Sequence, residues 1–400
     1  MTTPFRILCT TGFFAIFSAT IAKSPVLPLF ATHLGGGPSQ VGVVAAMSAF
    51  TGVIVSIPAG ILADRFGKRR MLLISSLIFV SAPFSYLLVT QIWQLAIVRF
   101  YHGLATAIFT PISMALVSEL FHKERGEKLG WFSTATLLGR FSAPVIGGGI
   151  ISAMALYGSL QFSAVYIVCS VAGIVTFLMS LRIPAATEQH SVGKSWQDSW
   201  EAFKSVITSR AIIITSAVEA AILFLYGTFE TFLPLHALKS GFSASQIGIF
   251  LSVQIITLAL TRPSMGRFSD RHGRKPQIVL GGLLGAVCMG LLAFVNGFVW
   301  FLAVSILIGL SLSIVTSATS ALIADLSKSE GRGSAMGILG SIMDIGHTTG
   351  PLVAGIVSAM YGFEKAFLTA AALLAIMSLI FLIHAGRSAS YDFQKGQEKR

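Results

Sequence analysis

Gly60-Ile61-Leu62-Ala63-Asp64-Arg65-Phe66-Gly67-Lys68-Arg69-Arg70 lies between two long apolar runs and comes back later as Gly266-Arg267-Phe268-Ser269-Asp270-Arg271-His272-Gly273-Arg274-Lys275. The glycines, the acid and the arginine recur at an offset of 206 residues (64 to 270), about half of the 400-residue chain. A loop this short cannot fold alone, and one this charged cannot enter a bilayer. It reads as a tight turn between two membrane helices. Glycine supplies the bend, the basic residues hold the turn on the inner side, and the acid sits at a helix end.

The same offset links residues far from the loop. Leu27-Pro28-Leu29 matches Leu233-Pro234-Leu235, Ser39, Gln40 and Gly42 match Ser245, Gln246 and Gly248, and Glu119 matches Asp325. One inserted residue then shifts the offset to 207. Arg125-Gly126 matches Arg332-Gly333, and Gly139, Ala143, Pro144, Gly147 and Gly148 match Gly346, Gly350, Pro351, Ala354 and Gly355. The chain is read as two pseudo-symmetric six-helix bundles, 1–181 and 211–386, joined by 182–210 and followed by a tail, 387–400. In the joining segment Trp196, Trp200, Phe203 and Ile207 recur at helical spacing among charged residues. That predicts an amphipathic helix on the membrane surface, either a plain linker or a docking element.

Composition agrees. The chain is 54% hydrophobic and 11% charged, with a mean hydropathy of +0.80; ordinary soluble domains carry about 25% charged residues. Crossing a bilayer takes roughly 20 apolar residues. Twelve runs of about that length occur, at 7–32, 41–62, 71–90, 93–118, 129–153, 160–181, 211–236, 243–265, 277–296, 298–322, 335–359 and 363–384. The expected fold class is an all-α polytopic membrane protein with 12 transmembrane helices. The net charge of +12 would point to nucleic acid in a soluble chain, but its distribution excludes that. Of the Lys and Arg residues, Lys239 and Lys365 fall in outer loops and Lys23, Arg99, Arg140 and Arg262 within spans; the others lie in inner segments. This asymmetry predicts cytoplasmic N- and C-termini. Cys9, Cys169 and Cys288 are scattered through apolar spans, so neither a disulfide framework nor a metal site is expected. The first run is too long for a signal peptide and leads into Pro25 and Pro28 rather than a cleavage site.

The loop pattern G-x-x-x-D-R-x-G-[KR]-[KR] after the second span resembles the signature of the major facilitator superfamily (MFS) of secondary transporters, and here it is present twice. The resemblance implies the MFS fold, two bundles rocking about a midplane site. It also implies a conformational gate at the first copy: Gly60, Asp64, Arg65, Gly67, Lys68 and Arg69. The second copy (Gly266, Asp270, Arg271, Gly273 and Arg274) is read the same way, with a purely topological role as the other reading. Glu119 and Asp325 read as inner-surface ion-pair partners supporting that gate. In the fifth span Gly139, Ala143 and Gly147 form a small-residue stripe, with Pro144 bending the helix beside it. This motif resembles that of the drug:proton antiporter branch, with Ala143 where that branch has Gly. Arg99-Phe100-Tyr101-His102-Gly103 is similar to the family's fourth-span R-x-x-x-G, whose Arg is linked to proton coupling.

A charge at mid-bilayer is costly unless paired or watered, so each one is a functional candidate. The candidates for proton coupling or the cavity are Lys23, Arg99, His102, Arg140, Glu219, Glu230, Asp344 and His347. Glu230 lies one residue from the symmetry mate of Lys23. In the resembled family the first and seventh spans face each other, so these two are expected either to pair across the cavity or to snorkel to water at the outer ends. Glu219 has no partner one turn away in its own helix and needs one elsewhere or a proton. Asp344 and His347 share a helix face, and Arg140 is the symmetry mate of His347; relay, substrate contact and helix packing stay open for all three. Arg262 is expected to snorkel inward in a structural role. Gly346, Gly350, Pro351 and Gly355 repeat the packing motif with Gly148.

The expectation is therefore a secondary transporter in the bacterial inner membrane, a monomer driving proton-coupled efflux of a small organic compound. Its partners are substrate, protons and the bilayer. Import on the same fold and a non-transporting sensor are the alternatives. The energy source is the proton gradient rather than a cofactor. No P-loop, no H-E-x-x-H and no soluble domain argues for an enzyme. Basic and acidic candidates pull the substrate charge in opposite directions.

Overall fold

The computed structural model describes residues 3–121, 124–184, 210–326 and 332–397, and its secondary structure there is entirely helical. The expected amphipathic helix around Trp196 and Trp200 lies outside the described residues. The helices are α1 (Thr3–Ile21), α2 (Val26–His33), α3 (Pro38–Phe66), α4 (Lys68–Tyr86), α5 (Ile92–Leu120), α6 (Arg125–Ala153) and α7 (Leu160–Leu181) in the first half. The second half holds α8 (Arg210–Lys239), α9 (Ala244–His272), α10 (Arg274–Leu292), α11 (Phe298–Leu326), α12 (Arg332–Tyr361) and α13 (Phe363–Gln397). With α1 and α2 as one broken span, this is twelve spans in two bundles of six. Ten of them are long and apolar enough on their own to cross a bilayer. The exceptions are α4, whose first turn is Lys68-Arg69-Arg70, and α12, which carries Asp344 and His347.

The break in the first span departs from the single run 7–32 expected. Pro25 has no N–H to give the helical ladder, so the backbone turns at Ala22–Pro25 before α2 resumes. Outside the bundles, Leu77, Ile97, Val171, Leu280, Val299 and Ile383 present exposed apolar surface. That is the belt an integral membrane protein shows to lipid.

The signature turns are as tight as a chain allows. Gly67 is the one residue between α3 and α4, and Gly273 the one residue between α9 and α10. Their φ values are +89° and +90°, in the half of conformational space that side chains resist. Gly60 and Gly266 do not bend anything. They sit inside α3 and α9, and a Cβ on either would meet no atom within 4 Å.

At the opposite end the repeat seals the two halves against each other twice. Gln40 and Gln246 cap their helices, accepting from the Gly37 and Ser243 amides at 3.0 and 2.9 Å. Two residues on, Gly42 lies against the Pro351 carbonyl and the Gly355 Cα of α12, and Gly248 against the Pro144 carbonyl of α6. Gly148 in turn meets the Ala244 carbonyl. Ser39 Oγ donates to the Gly355 carbonyl (3.4 Å), the Ser245 amide to Ser152 Oγ (2.9 Å), and Ser252 Oγ to the Phe141 carbonyl (2.8 Å). These are close small-residue helix crossings between the halves. The remaining members of the packing motif serve within each half. Gly139 abuts the Phe13 carbonyl and Gly147 the side chains of Ile21 and Val26, while Gly346 and Gly350 abut the Ala220 and Phe224 carbonyls. Ala143 is fully buried on the same stripe.

Candidate functional site

The break between α1 and α2 puts Lys23 where its side chain can cross to the other half. Its Nζ donates to Glu230 Oε2 of α8 at 2.6 Å and lies 3.1 Å from His347 Nε2 of α12. His347 Nε2 is itself 3.3 Å from the same carboxylate oxygen. The three groups form a triangle across the interface. Glu230 is held by an unusual stretch of α8: Pro234, one turn on, cannot donate to the Glu230 carbonyl. The Glu230 and Lys23 side chains are 9% and 21% exposed, so the pair is largely withdrawn from the surface. Tyr226, one turn back on α8, has its ring centroid 5.3 Å from the His347 ring; it had no sequence signal of its own.

The other intramembrane candidates divide. Arg140 lines a cleft of about 610 Å³ that opens between α5, α6 and α9, on the signature-loop side of the sealed crossings. Arg262 lines the same cleft. Its exposed guanidinium is in the cleft wall, on the inward side to which snorkelling was expected. Arg99 and His102 are buried inside the first bundle, 3% and 1% exposed. The His102 ring packs edge-on against Phe79 and Tyr86, and neither of its nitrogens has a hydrogen-bond partner among the described residues. Arg99 is in electrostatic range of Lys23 but does not join the triangle. Glu219, fully buried in the second bundle, accepts a hydrogen bond from Thr319 on α11, the partner its own helix lacks. Its second oxygen has no partner among the described residues. Asp344 and His347 share one helix but separate. His347 turns to the triangle, while Asp344 meets α3 at Gly52, where a Cβ would stand 2.8 Å from Asp344 Oδ2. Gly52 was not legible as a site residue.

At the basic-loop end the charges organise each half separately. Lys68 pairs with Glu119, and its repeat mate Arg274 pairs with Asp325 at 2.5 Å and Asp270 at 3.1 Å. Arg69 gives its guanidinium to the Ile183 and Leu181 carbonyls at 2.8 and 3.1 Å, closing the end of α7. In this state Asp270 pairs with Arg274, one turn away on α10, within its own half. The Asp64 side chain lies outside what is described. Arg65 lies over the Phe66 ring at 5.6 Å, and Arg271 is exposed.

One end is thus sealed by paired helix crossings, a charged triangle lies behind the seal, and a cleft opens toward the basic loops. The sequence profile of the Major Facilitator Superfamily matches residues 8–244 and 220–399. The multidrug resistance protein MdtG of Klebsiella pneumoniae is 24% identical over 388 residues, covering 95% of this chain and 93% of that one. A bacterial homologue of the human lysosomal transporter Spinster, crystallised inward-facing and unoccupied, superposes with a TM-score of 0.81 at 15% identity, over 96% and 97% of the two chains. The nucleoside transporter NupG superposes with a TM-score of 0.76 at 16% identity, over 96% and 99%. The repeated signature turn, the twelve spans in two bundles and the profile match along the whole chain establish this protein as a member of the major facilitator superfamily.

Proposed function

We propose that this chain exports a small organic compound in exchange for protons, by alternating access, as a monomer in the bacterial inner membrane with both termini in the cytoplasm. The observation that carries the proposal is the Lys23–Glu230–His347 triangle. It is the described ion pair that ties one half to the other, so no opening of the sealed end leaves it intact. With the basic loops inside, the state described is inward-open. Rocking to the outward-open state would carry Lys23 away from Glu230 and leave the carboxylate open to a proton from the outer side. Return would bring the ammonium back against the carboxylate and send the proton into the inward cleft. Substrate leaving and proton entering then use opposite strokes of one motion, each shifting the equilibrium by its preference for one state. The relative MdtG, a multidrug resistance protein by name, supports this direction. Asp344, Glu219 and Arg99 are further candidates for the proton route, and Gly60 and Gly266 for the inner gate, where their bare surfaces would receive the other half on closure.

The test uses everted membrane vesicles energised to an acidic interior, with a pH-sensitive dye. Lipophilic cations, zwitterions and organic acids are added in turn to vesicles with the wild-type protein, with Glu230→Gln, and with neither. Dequenching that requires the wild-type protein supports proton-coupled export. The same signal in Glu230→Gln removes the triangle from the coupling step. Uptake driven by the opposite gradient would replace export with import.

A further inference from the structure

The relatives' names leave the charge of the solute open, and the sequence pulls both ways. We infer that the cleft is built for an amphipathic organic anion, a carboxylate, sulfonate or phosphate monoester on an apolar body. The inference rests on reading the cleft as the substrate path. The observation behind it is the cleft's lining: two guanidiniums, Arg140 from the first half and Arg262 from the second, and no described carboxylate. Neither guanidinium forms an ion pair or hydrogen bond among the described residues, and both are exposed to the opening. Around them stand the hydroxyls of Thr110, Ser113, Thr134 and Thr136, and an apolar wall that includes Phe109, Phe132, Ile255 and Leu258. A volume of about 610 Å³ falls within the range of small-molecule sites.

None of the intramembrane acids lines the cleft: Asp344 lies against Gly52 of α3, in electrostatic range of Lys23. Glu230 is consumed by Lys23 and His347. Glu219 is in electrostatic range of Arg262 but is sealed behind Thr319 and does not reach the cleft. A lipophilic cation entering here would meet two like charges and no free partner.

The register of the sealed crossing extends the argument. α6 and α9 run antiparallel, with Gly148 against Ala244 and Pro144 against Gly248. Continuing that pairing places Arg262 opposite Gly130 in a closed cleft. Arg140 then lies ten residues deeper, about 15 Å at 1.5 Å per residue. Arg262 stands near the mouth and Arg140 near the triangle, in electrostatic range of His347. The two cations form an inward path, Arg262 as capture site and Arg140 as seat. Closing the empty cleft would bury both guanidiniums without partners, which is unfavourable. An anion seated at Arg140 offsets part of that, so the solute itself would promote the stroke that exports it.

The experiment is equilibrium binding of radiolabelled 2-naphthoate to the full-length protein in nanodiscs. Competitors are 2-naphthalenesulfonate, 2-naphthyl phosphate, the neutral 2-naphthamide and 2-naphthylmethylammonium. Saturable binding is expected, displaced by the two anionic competitors at least tenfold better than by amide or ammonium. Arg140→Gln and Arg262→Gln should each weaken it about tenfold or more, while Arg140→Lys recovers part of the loss and Lys365→Gln, which removes an exposed cation far from the cleft, leaves it within threefold. Absence of saturable binding by every anion, displacement by the ammonium as good as by the anions, or binding unchanged in both Gln variants would overturn the inference. The dye assay separates this from the transport reading. Export of lipophilic cations unaffected by either Gln variant would sink the anion site and leave transport standing. Anion binding with no proton movement for any solute would do the reverse.

Discussion

Leucine at Gly42 and Gly248 should force the sealed end open. A Cβ at Gly42 would press on the Pro351 carbonyl oxygen and stand 3.2 Å from Gly355 Cα; at Gly248 it would press on the Pro144 carbonyl and stand 3.3 Å from Val145 Cα. These neighbours are backbone, so no side chain can swing away and the helices must separate. Overpacking of this kind costs about 1–3 kcal/mol per site. The two crossings lie on opposite sides of the pseudo-twofold axis, so their costs should add. The total, about 2–6 kcal/mol, shifts the equilibrium roughly 30-fold to 10⁴-fold away from the sealed state, at 1.4 kcal/mol per tenfold. The assay is pulsed electron paramagnetic resonance between spin labels at Thr90 and Asn296, both exposed in loops of the sealed end, with Cys9, Cys169 and Cys288 replaced. The double variant should move the distance distribution to a longer component. Gly149→Leu should not, because nothing lies within 4 Å of that position. Gly139→Leu clashes with the Phe13 carbonyl of its own half, so it should lower the melting temperature without moving the distribution. A double variant whose distances and melting temperature both overlay the parent's would refute the reasoning.

Other perturbations separate the turn, the surface pairs and the buried polar groups. Gly67→Ala and Gly273→Ala should each cost about 1–2 kcal/mol through the positive φ, whereas Gly60→Ala should leave the melting temperature of this state unchanged; a larger loss at Gly60 would contradict its placement. Asp325→Asn, removing a half-exposed partner of Arg274, should cost less than about 1 kcal/mol, read by thermal melting in detergent. Thr319→Val leaves the buried Glu219 without its donor and should cost about 1–3 kcal/mol. An unchanged melt would mean that the carboxyl finds another partner.

What the sequence disclosed follows from what is local or repeated in it. Twelve apolar lengths and the signature turn need no tertiary information, because Gly67 and Gly273 are set by the chain's own geometry. The 206-residue offset then makes two halves out of one chain. The pairing of Lys23 with Glu230 was one of two readings, suggested by the 206-residue offset together with the resembled family, whose first and seventh spans face each other, and His347 was named without its place in the triangle. Register between helices was not legible. Gly139 and Gly148 look alike in the sequence, yet one meets its own half and the other the opposite half. Gly52, which makes room for Asp344, has no mark beyond being glycine. Arg262 was read as snorkelling inward; that it shares a cleft with Arg140 depends on how α9 packs against α5 and α6, which is not local in the sequence. The partner of Asp270 was not legible, because charge alone does not say which arginine, Arg274 one turn away included, will reach it first.

The most direct test of the account is the simultaneous measurement of solute and proton flux in proteoliposomes, using the solute with the strongest signal in the vesicle panel. Wild-type protein is compared with Glu230→Gln. The account predicts opposite fluxes in a fixed ratio for the wild type, and for Glu230→Gln solute exchange without net proton movement. Fluxes in the same direction, or a Glu230→Gln variant that still moves protons at the wild-type ratio, would contradict it.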